Sequence, residues 1–243
     1  MLSIITPTYN RAYLLPQLYQ SLLLQTSKDF EWIVVDDGST DETEEIVEDW
    51  NREGALKITY KKKENGGKHT ALNYAHPYIN SDIVLIADSD DWLVEDAVET
   101  IVRDWKKYRN DPHVSGLCYL RGADPTHSLG DFHFKEQEFV SDYIKEKVSV
   151  SNDFGSCEVI KTNILKEFPF PETKGEKFIG ESYLWIQVGL KYKTVFIDKI
   201  LYITQFYEDG LTRGGRKLRI NNPMGGYLYQ ILECREGCLS RIG

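Results

Sequence analysis

Ile83-Val84-Leu85-Ile86-Ala87-Asp88-Ser89-Asp90-Asp91 is an apolar run that stops in three carboxylates. The apolar part, rich in Ile and Val, suits a buried strand covered on both faces. Carboxylates this close repel one another unless a cation lies between them, and oxygen ligands of this kind suit Mg²⁺ or Mn²⁺. A second reading competes, in which Ser89 or Asp91 caps a helix beginning near Leu93. Acidic caps after strands are common, so the run alone leaves both readings open.

Upstream, short apolar runs alternate with helical patterns, the signature of a parallel sheet with covering helices. A strand is expected over Leu2 to Thr6, closed by Pro7-Thr8-Tyr9-Asn10, and then a helix over about Ala12 to Gln25 with leucines at helical spacing. A second strand, Trp32 to Val35, ends in Asp36-Asp37-Gly38-Ser39-Thr40-Asp41. Thr40 or Asp41 would cap the next helix, about Glu42 to Trp50. Leu56 to Tyr60 reads as a third strand, Asn65-Gly66-Gly67-Lys68 as a loop, and Thr70 to Tyr78 as a helix. Ligands of open parallel sheets lie at the carboxyl ends of the strands. The polar clusters fall on that edge, which weights the acidic run toward a ligand site.

The second half is less regular. Val114 to Leu120, Glu158 to Lys161 and Val195 to Ile203 read as strands; Phe139 to Lys147, Glu181 to Leu190 and about Met224 to Cys234 read as helices. Loops with Pro and Gly cover about Asp124 to Asp131 and Pro169 to Gly180. No internal repeat or low-complexity linker divides the chain, so the expectation is one α/β domain over residues 1–243.

The 243 residues, 41% hydrophobic and 28% charged, suit a soluble globular protein. Lys and Arg number 29 against 38 Asp and Glu, a net charge of −9 that speaks against a nucleic-acid-coating surface. No apolar run approaches the length of about 20 residues that a membrane span needs. Met1 leads straight into the first strand without a charged n-region, so no signal peptide is expected. Cys118, Cys157, Cys234 and Cys238 are scattered. The last pair is spaced for one helix face, and neither cysteines nor histidines form a zinc pattern.

The phosphate-binding fingerprints of dinucleotide-binding and P-loop proteins are missing. The chain instead resembles glycosyltransferase family 2, whose members have the GT-A fold, a Rossmann-like, mostly parallel sheet flanked by helices with a less regular acceptor side. The resemblance rests on Ser3-Ile4-Ile5-Thr6-Pro7-Thr8-Tyr9-Asn10-Arg11, Val34-Val35-Asp36-Asp37-Gly38-Ser39-Thr40-Asp41, Asn65-Gly66-Gly67-Lys68 and Asp88-Ser89-Asp90-Asp91, in that order. It implies a donor half over 1–110, an acceptor and base half over 111–220 and a C-terminal helix over 221–243. It also implies inverting transfer of a sugar from a nucleotide-diphosphate donor, a UDP-sugar above all, with Mn²⁺ or Mg²⁺.

Carried over position by position, Pro7 and Tyr9 would line the base pocket, Tyr9 by stacking. Asp37 would accept from the base N–H, while Asp36 serves the turn. Arg11 could reach the diphosphate or be solvated. Gly66 and Gly67 would let their loop approach the donor, and Lys68 would bring it a positive charge. Asp88 would lie by the ribose or the metal, with Ser89 on the donor side, Asp90 as direct metal ligand and Asp91 as a possible second. The family's base comes from a Glu-Asp pair at a helix start, here Glu181-Ser182, which leaves Glu181 as the carboxylate. Tyr207-Glu208-Asp209-Gly210-Leu211-Thr212-Arg213 resembles a late loop near the donor. Arg213, Arg216, Lys217 and Arg219 could steer pyrophosphate or anionic lipid, or form a solvated face.

The partners implied are a nucleotide-sugar donor and a glycan or lipid-linked acceptor in polysaccharide synthesis, with no nucleic acid. The expected place is the cytoplasm, with peripheral association at the inner membrane face allowed. A catalytically degenerate sugar-nucleotide module is the alternative that Ser182 favours. A nucleotidyltransferase lacks its usual Gly-rich basic loop after the first strand.

Overall fold

The computed structural model describes residues 1–149, 155–205, 207, 218 and 220–235. The chain runs through β1 (Leu2–Thr8), α1 (Leu15–Leu23), β2 (Phe30–Asp36), α2 (Thr43–Glu53), β3 (Ile58–Lys62), α3 (Lys68–Ala75) and β4 (Ile83–Ile86). It continues through β5 (Trp92–Leu93), α4 (Ala97–Tyr108), β6 (Val114–Gly122), β7 (Glu138–Ser141), α5 (Tyr143–Ser149) and β8 (Ser156–Lys161). The last described elements are α6 (Thr162–Glu167), α7 (Ser182–Lys191), β9 (Lys193–Ile203) and a helix, α8 (Pro223–Arg235).

β1, β2 and β4 are buried along their whole length, which is why they read as unbroken apolar runs. β1 pairs in parallel with β2 and with β4, Leu2 lying opposite Phe30 on one side and Ile83 on the other. Successive side chains enter opposite layers. Ile4, Trp32, Val34 and Leu85 pack with Leu15, Leu18 and Leu22 of α1 and Ile101 of α4, whereas Ile5, Ile33, Val35 and Val84 pack with Leu72 of α3 and Leu184 of α7. Trp32 is fully buried, stacks near Tyr19 at 6.1 Å and Trp50 at 6.0 Å, and donates its indole N–H to Thr6 Oγ1 at 2.9 Å.

The nine-stranded sheet has the order β3-β2-β1-β4-β8-β6-β9-β5, with β7 added on β9. Its parallel character is concentrated in the first half: β8 runs antiparallel to β4 and β6, while β5 and β7 run antiparallel to β9.

Several boundaries differ from expectation. No helix follows the acidic run directly. Trp92 and Leu93 pair with Ile203 and Tyr202, Leu93 enters the core at 3% exposure, and α4 starts only at Ala97. The capping reading of Ser89 and Asp91 is therefore overturned by strand pairing. The helix expected over 139–147 is also corrected, because Phe139 lies opposite Phe196 in the β7–β9 ladder and stacks on it at 5.3 Å. Only from Tyr143 does the chain become helical. α6 is an element that the sequence reading passed over. Cys118 and Cys157 are buried free thiols; the Cys234 side chain and Cys238 lie outside the described residues. Among the described residues no helix is long and apolar enough to cross a membrane.

Candidate functional site

The turns after β1, β2 and β4 share one edge of the sheet, as parallel pairing requires. The first two are tied together. Asn10, in the left-handed region at φ 52°, accepts at Oδ1 from Thr40 N–H at 2.8 Å and donates its own N–H to Ser39 Oγ at 2.9 Å. Asn tolerates that backbone better than most residues. Asp36 serves its turn as expected, accepting Ser39 N–H at 2.7 Å, and also takes the Tyr60 hydroxyl at 2.6 Å. Pro7 is buried in β1, whereas Tyr9 is 46% exposed.

Asp37 is buried and fully engaged. Its Oδ1 accepts from Lys63 Nζ at 2.8 Å and Gly66 N–H at 2.9 Å, its Oδ2 from Gly67 N–H at 2.6 Å and Asn65 Nδ2 at 3.1 Å. A carboxylate offers about four acceptor positions, and all are taken. These donors make the carboxylate the closure of the Asn65-Gly66-Gly67 loop, and a base N–H would have to share or replace one of them to reach Asp37. Gly67 lies in the same loop. Its φ is 96° and a Cβ there would lie 2.0 Å from the Lys177 carbonyl oxygen, so the close approach it permits is to the chain itself.

That loop ends at the start of α3, where Lys68 stands. Its ammonium bonds Asp88 Oδ1 and lies 2.7 Å from Glu181 Oε1. Three expected site residues from three distant segments are thus joined by one side chain. Burial works against the Lys68 charge, yet the two carboxylates outweigh it and raise its proton affinity above the ordinary lysine value. Burial likewise opposes the Asp88 charge, but Lys68 and Arg121 hold its carboxyl below the usual range.

Asp88, Asp90 and Asp91 offer carboxylate oxygens that lie within 4.8 Å of one another. Burial first and Asp88 second push Asp90 up, and the same causes push Asp91 up to about 7 against the pull of Arg121. Such a set is short of positive charge. An all-oxygen cluster with that deficit fits a hard divalent cation, Mg²⁺ or Mn²⁺. Asp91, 3% exposed, faces the Arg121 guanidinium at 3.7 Å, and Asp88 is paired with Lys68, so both are already partly compensated and Asp90 is the least compensated of the three. Ser89, between Asp88 and Asp90, is buried, and the charge of Arg11 acts on Asp90.

Arg121 and Tyr202 complete the cluster without having been singled out for it. The Tyr202 hydroxyl accepts Asp88 N–H at 2.7 Å, and the Arg121 guanidinium lies over the Tyr202 ring, 4.4 Å from its centre. Arg121 Nε also donates to Ser156 O at 2.6 Å. Burial first, then the charges of Asp90 and Asp91, push the Tyr207 hydroxyl above the ordinary tyrosine value. Glu181 directly precedes α7, and its carbonyl accepts from Leu184 N–H at 2.9 Å, while Ser182 is exposed. Asp209, Arg213, Arg216, Lys217 and Arg219 lie outside the described residues.

The family model described as Glycosyl transferase family 2 matches residues 3–168. Glycosyltransferase GlyA of Streptococcus pneumoniae is 29% identical over 224 residues, which take in 87% of this chain and 31% of GlyA. The GalNAc(5)-diNAcBac-PP-undecaprenol beta-1,3-glucosyltransferase of Campylobacter jejuni is 30% identical over 224 residues, or 89% of this chain and 68% of that enzyme. Among solved structures, S. aureus TarS 1–349 in complex with UDP-GlcNAc matches with a TM-score of 0.70 at 21% identity, over 90% of this chain and 66% of that one. Mannosyltransferase PcManGT from Pyrobaculum calidifontis, in complex with GDP-Man and Mn²⁺, matches with a TM-score of 0.63 at 23% identity, over 86% of this chain and 58% of that one. These likenesses show a GT-A fold. The chain spans about a third of GlyA and roughly two thirds of the Campylobacter enzyme.

Proposed function

The chain belongs to glycosyl transferase family 2, and from that premise we propose that it moves a sugar, with inversion, from a UDP-sugar to a glycan or lipid-linked acceptor in polysaccharide synthesis. One observation carries the reading: Lys68 joins Asp88, at the end of β4, to Glu181, at the start of α7. A donor-side acid and an acceptor-side carboxylate thus lie one ammonium apart. The names of TarS bound to UDP-GlcNAc and of the undecaprenol-linked Campylobacter enzyme support the donor and acceptor classes.

In this mechanism Tyr9 stacks on the base and Pro7 shapes its pocket, while Arg11 and Lys68 face the diphosphate. Asp88 lies on the ribose side. As the acceptor hydroxyl oxygen bonds the anomeric carbon, its proton passes to the Glu181 carboxylate. The bond from that carbon to the diphosphate oxygen breaks, and the nucleoside diphosphate leaves with the electron pair. A divalent cation held by Asp90 and Asp88 would neutralise that growing charge; PcManGT with Mn²⁺ supports the choice of ion. Residues 1–110 would serve the donor and 111–220 the acceptor, within one domain.

Glu181→Gln is expected to abolish transfer while UDP binding stays within about twofold, since the base acts after the donor is seated. Turnover near that of the unmodified chain would remove Glu181 from the role. Ser182, where the family pair has Asp, favours a second reading as a donor-binding module. Metal-dependent UDP release from UDP-sugars supports the transferase, and tight binding without release supports the module.

A further inference from the structure

Segment 168–181, between α6 and α7, carries Glu181 at its end. It is fastened on both sides. The Asn73 amide pairs with the backbone of Phe170, Nδ2 donating to its carbonyl at 2.8 Å and Oδ1 accepting its N–H at 2.9 Å. Asn73 Nδ2 also reaches Glu172 Oε1 at 2.8 Å. Further along, Lys177 donates from Nζ to Asn65 Oδ1 at 2.7 Å and from its N–H to Asn222 Oδ1 at 2.6 Å. Two glycines admit the segment's carbonyls: a Cβ at Gly67 would lie 2.0 Å from Lys177 O, and one at Gly225 in α8 would lie 2.8 Å from Phe178 O. Phe170 and Ile179 are each 4% exposed and anchor the segment in the core.

Asn73 and Lys68 share one helix, α3. Fastening Phe170 to one end of that helix while Glu181 meets Lys68 at the other fixes the span of the segment against a rigid ruler. We infer that Asn73 is a positioning residue that holds Glu181 at Lys68 through segment 168–181. Asn73 touches neither carboxylate of the pair among the described contacts; it acts through the backbone of Phe170 and the Glu172 side chain. Lys177 ties the Asn65-Gly66-Gly67 loop to the same segment, so the loop and Glu181 share one support. The inference rests on the reading of Glu181 as base for its kinetic consequence, but not for its structural one.

Asn73→Ala is the test, with two measurements. Amide exchange in the unliganded chain needs no substrate: exchange over residues 177–185 is expected to quicken about tenfold or more, with β1 and β2 unchanged. Unchanged exchange over 177–185 overturns the inference, as does an equal increase throughout the sheet, which would mark a general loss of stability. UDP release from UDP-GlcNAc with Mn²⁺ is the second measurement. There kcat is expected to fall about 10- to 100-fold with the donor KM held, because a displaced base costs turnover and not donor binding. A KM rise with kcat intact overturns the positioning role. If the unmodified chain released no UDP while the exchange result held, the transfer reading alone would fail.

Discussion

Lys68 lies against two carboxylates at once, so its loss leaves Asp88 and Glu181 without their shared ammonium. Lys68→Met is expected to destabilise the fold by about 1–3 kcal/mol in urea unfolding, the range for a partly buried group left without its partner. Under the proposed mechanism, which turns the ammonium to the diphosphate, it should also weaken UDP binding. Unchanged stability would mean that the pair contributes nothing. Gly67→Ala acts differently: the backbone at φ 96° and the Lys177 carbonyl both exclude a methyl group, so a loss of at least about 1 kcal/mol is expected on unfolding. At this scale the sequence exposed Lys68, Asp88, Asp90 and Glu181, because each stands in a local pattern of charge at a strand end or helix start. Arg121 and Tyr202 escaped it. They are ordinary strand residues until the β6–β9 register sets them opposite each other, and register between distant strands leaves no local trace. The loop closure by Asp37 was equally hidden, since its four donors come from another loop.

Among the elements, β2 carries a buried carboxylate that ties the first half together. Glu31, 1% exposed, accepts from Ser3 Oγ at 2.7 Å, Lys57 Nζ at 2.8 Å and Asn80 N–H at 2.9 Å. Burial opposes its charge, yet these donors prevail and hold its carboxyl below the ordinary glutamate range. A depressed folded-state value gives stability that is complete above the unfolded value and lost as pH falls through the folded one. Glu31→Gln is therefore expected to cost about 1–3 kcal/mol near pH 7 and to flatten the stability loss below about pH 4. Equal pH profiles for the two chains would contradict this. β1, β2 and β4 were legible because strands buried on both faces advertise themselves by composition. β7 was not: its four residues Glu138–Ser141 owe their strand state to Phe196 in β9. Nor did the run after Asp91 show that Trp92 and Leu93 would pair with β9 before any helix could form.

At the scale of the whole molecule, the candidate site lies between two halves of one sheet, with acids from β4, a lysine from α3 and a carboxylate from α7. A ligand that binds only this assembled state stabilises it, by about 2.7 kcal/mol at a hundredfold excess over Kd. UDP with Mn²⁺ should thus raise Tm by about 2–4 °C for each kcal/mol gained, more than either component alone. Asp90→Asn should remove the share that depends on the metal. The proposal as a whole meets its most direct test in UDP release from a panel of UDP-sugars, measured with Mn²⁺ and with a chelator. Slow release that needs Mn²⁺ and disappears in Asp90→Asn is the expected result; release that is indifferent to metal and to Asp90, or none from any UDP-sugar, would contradict it.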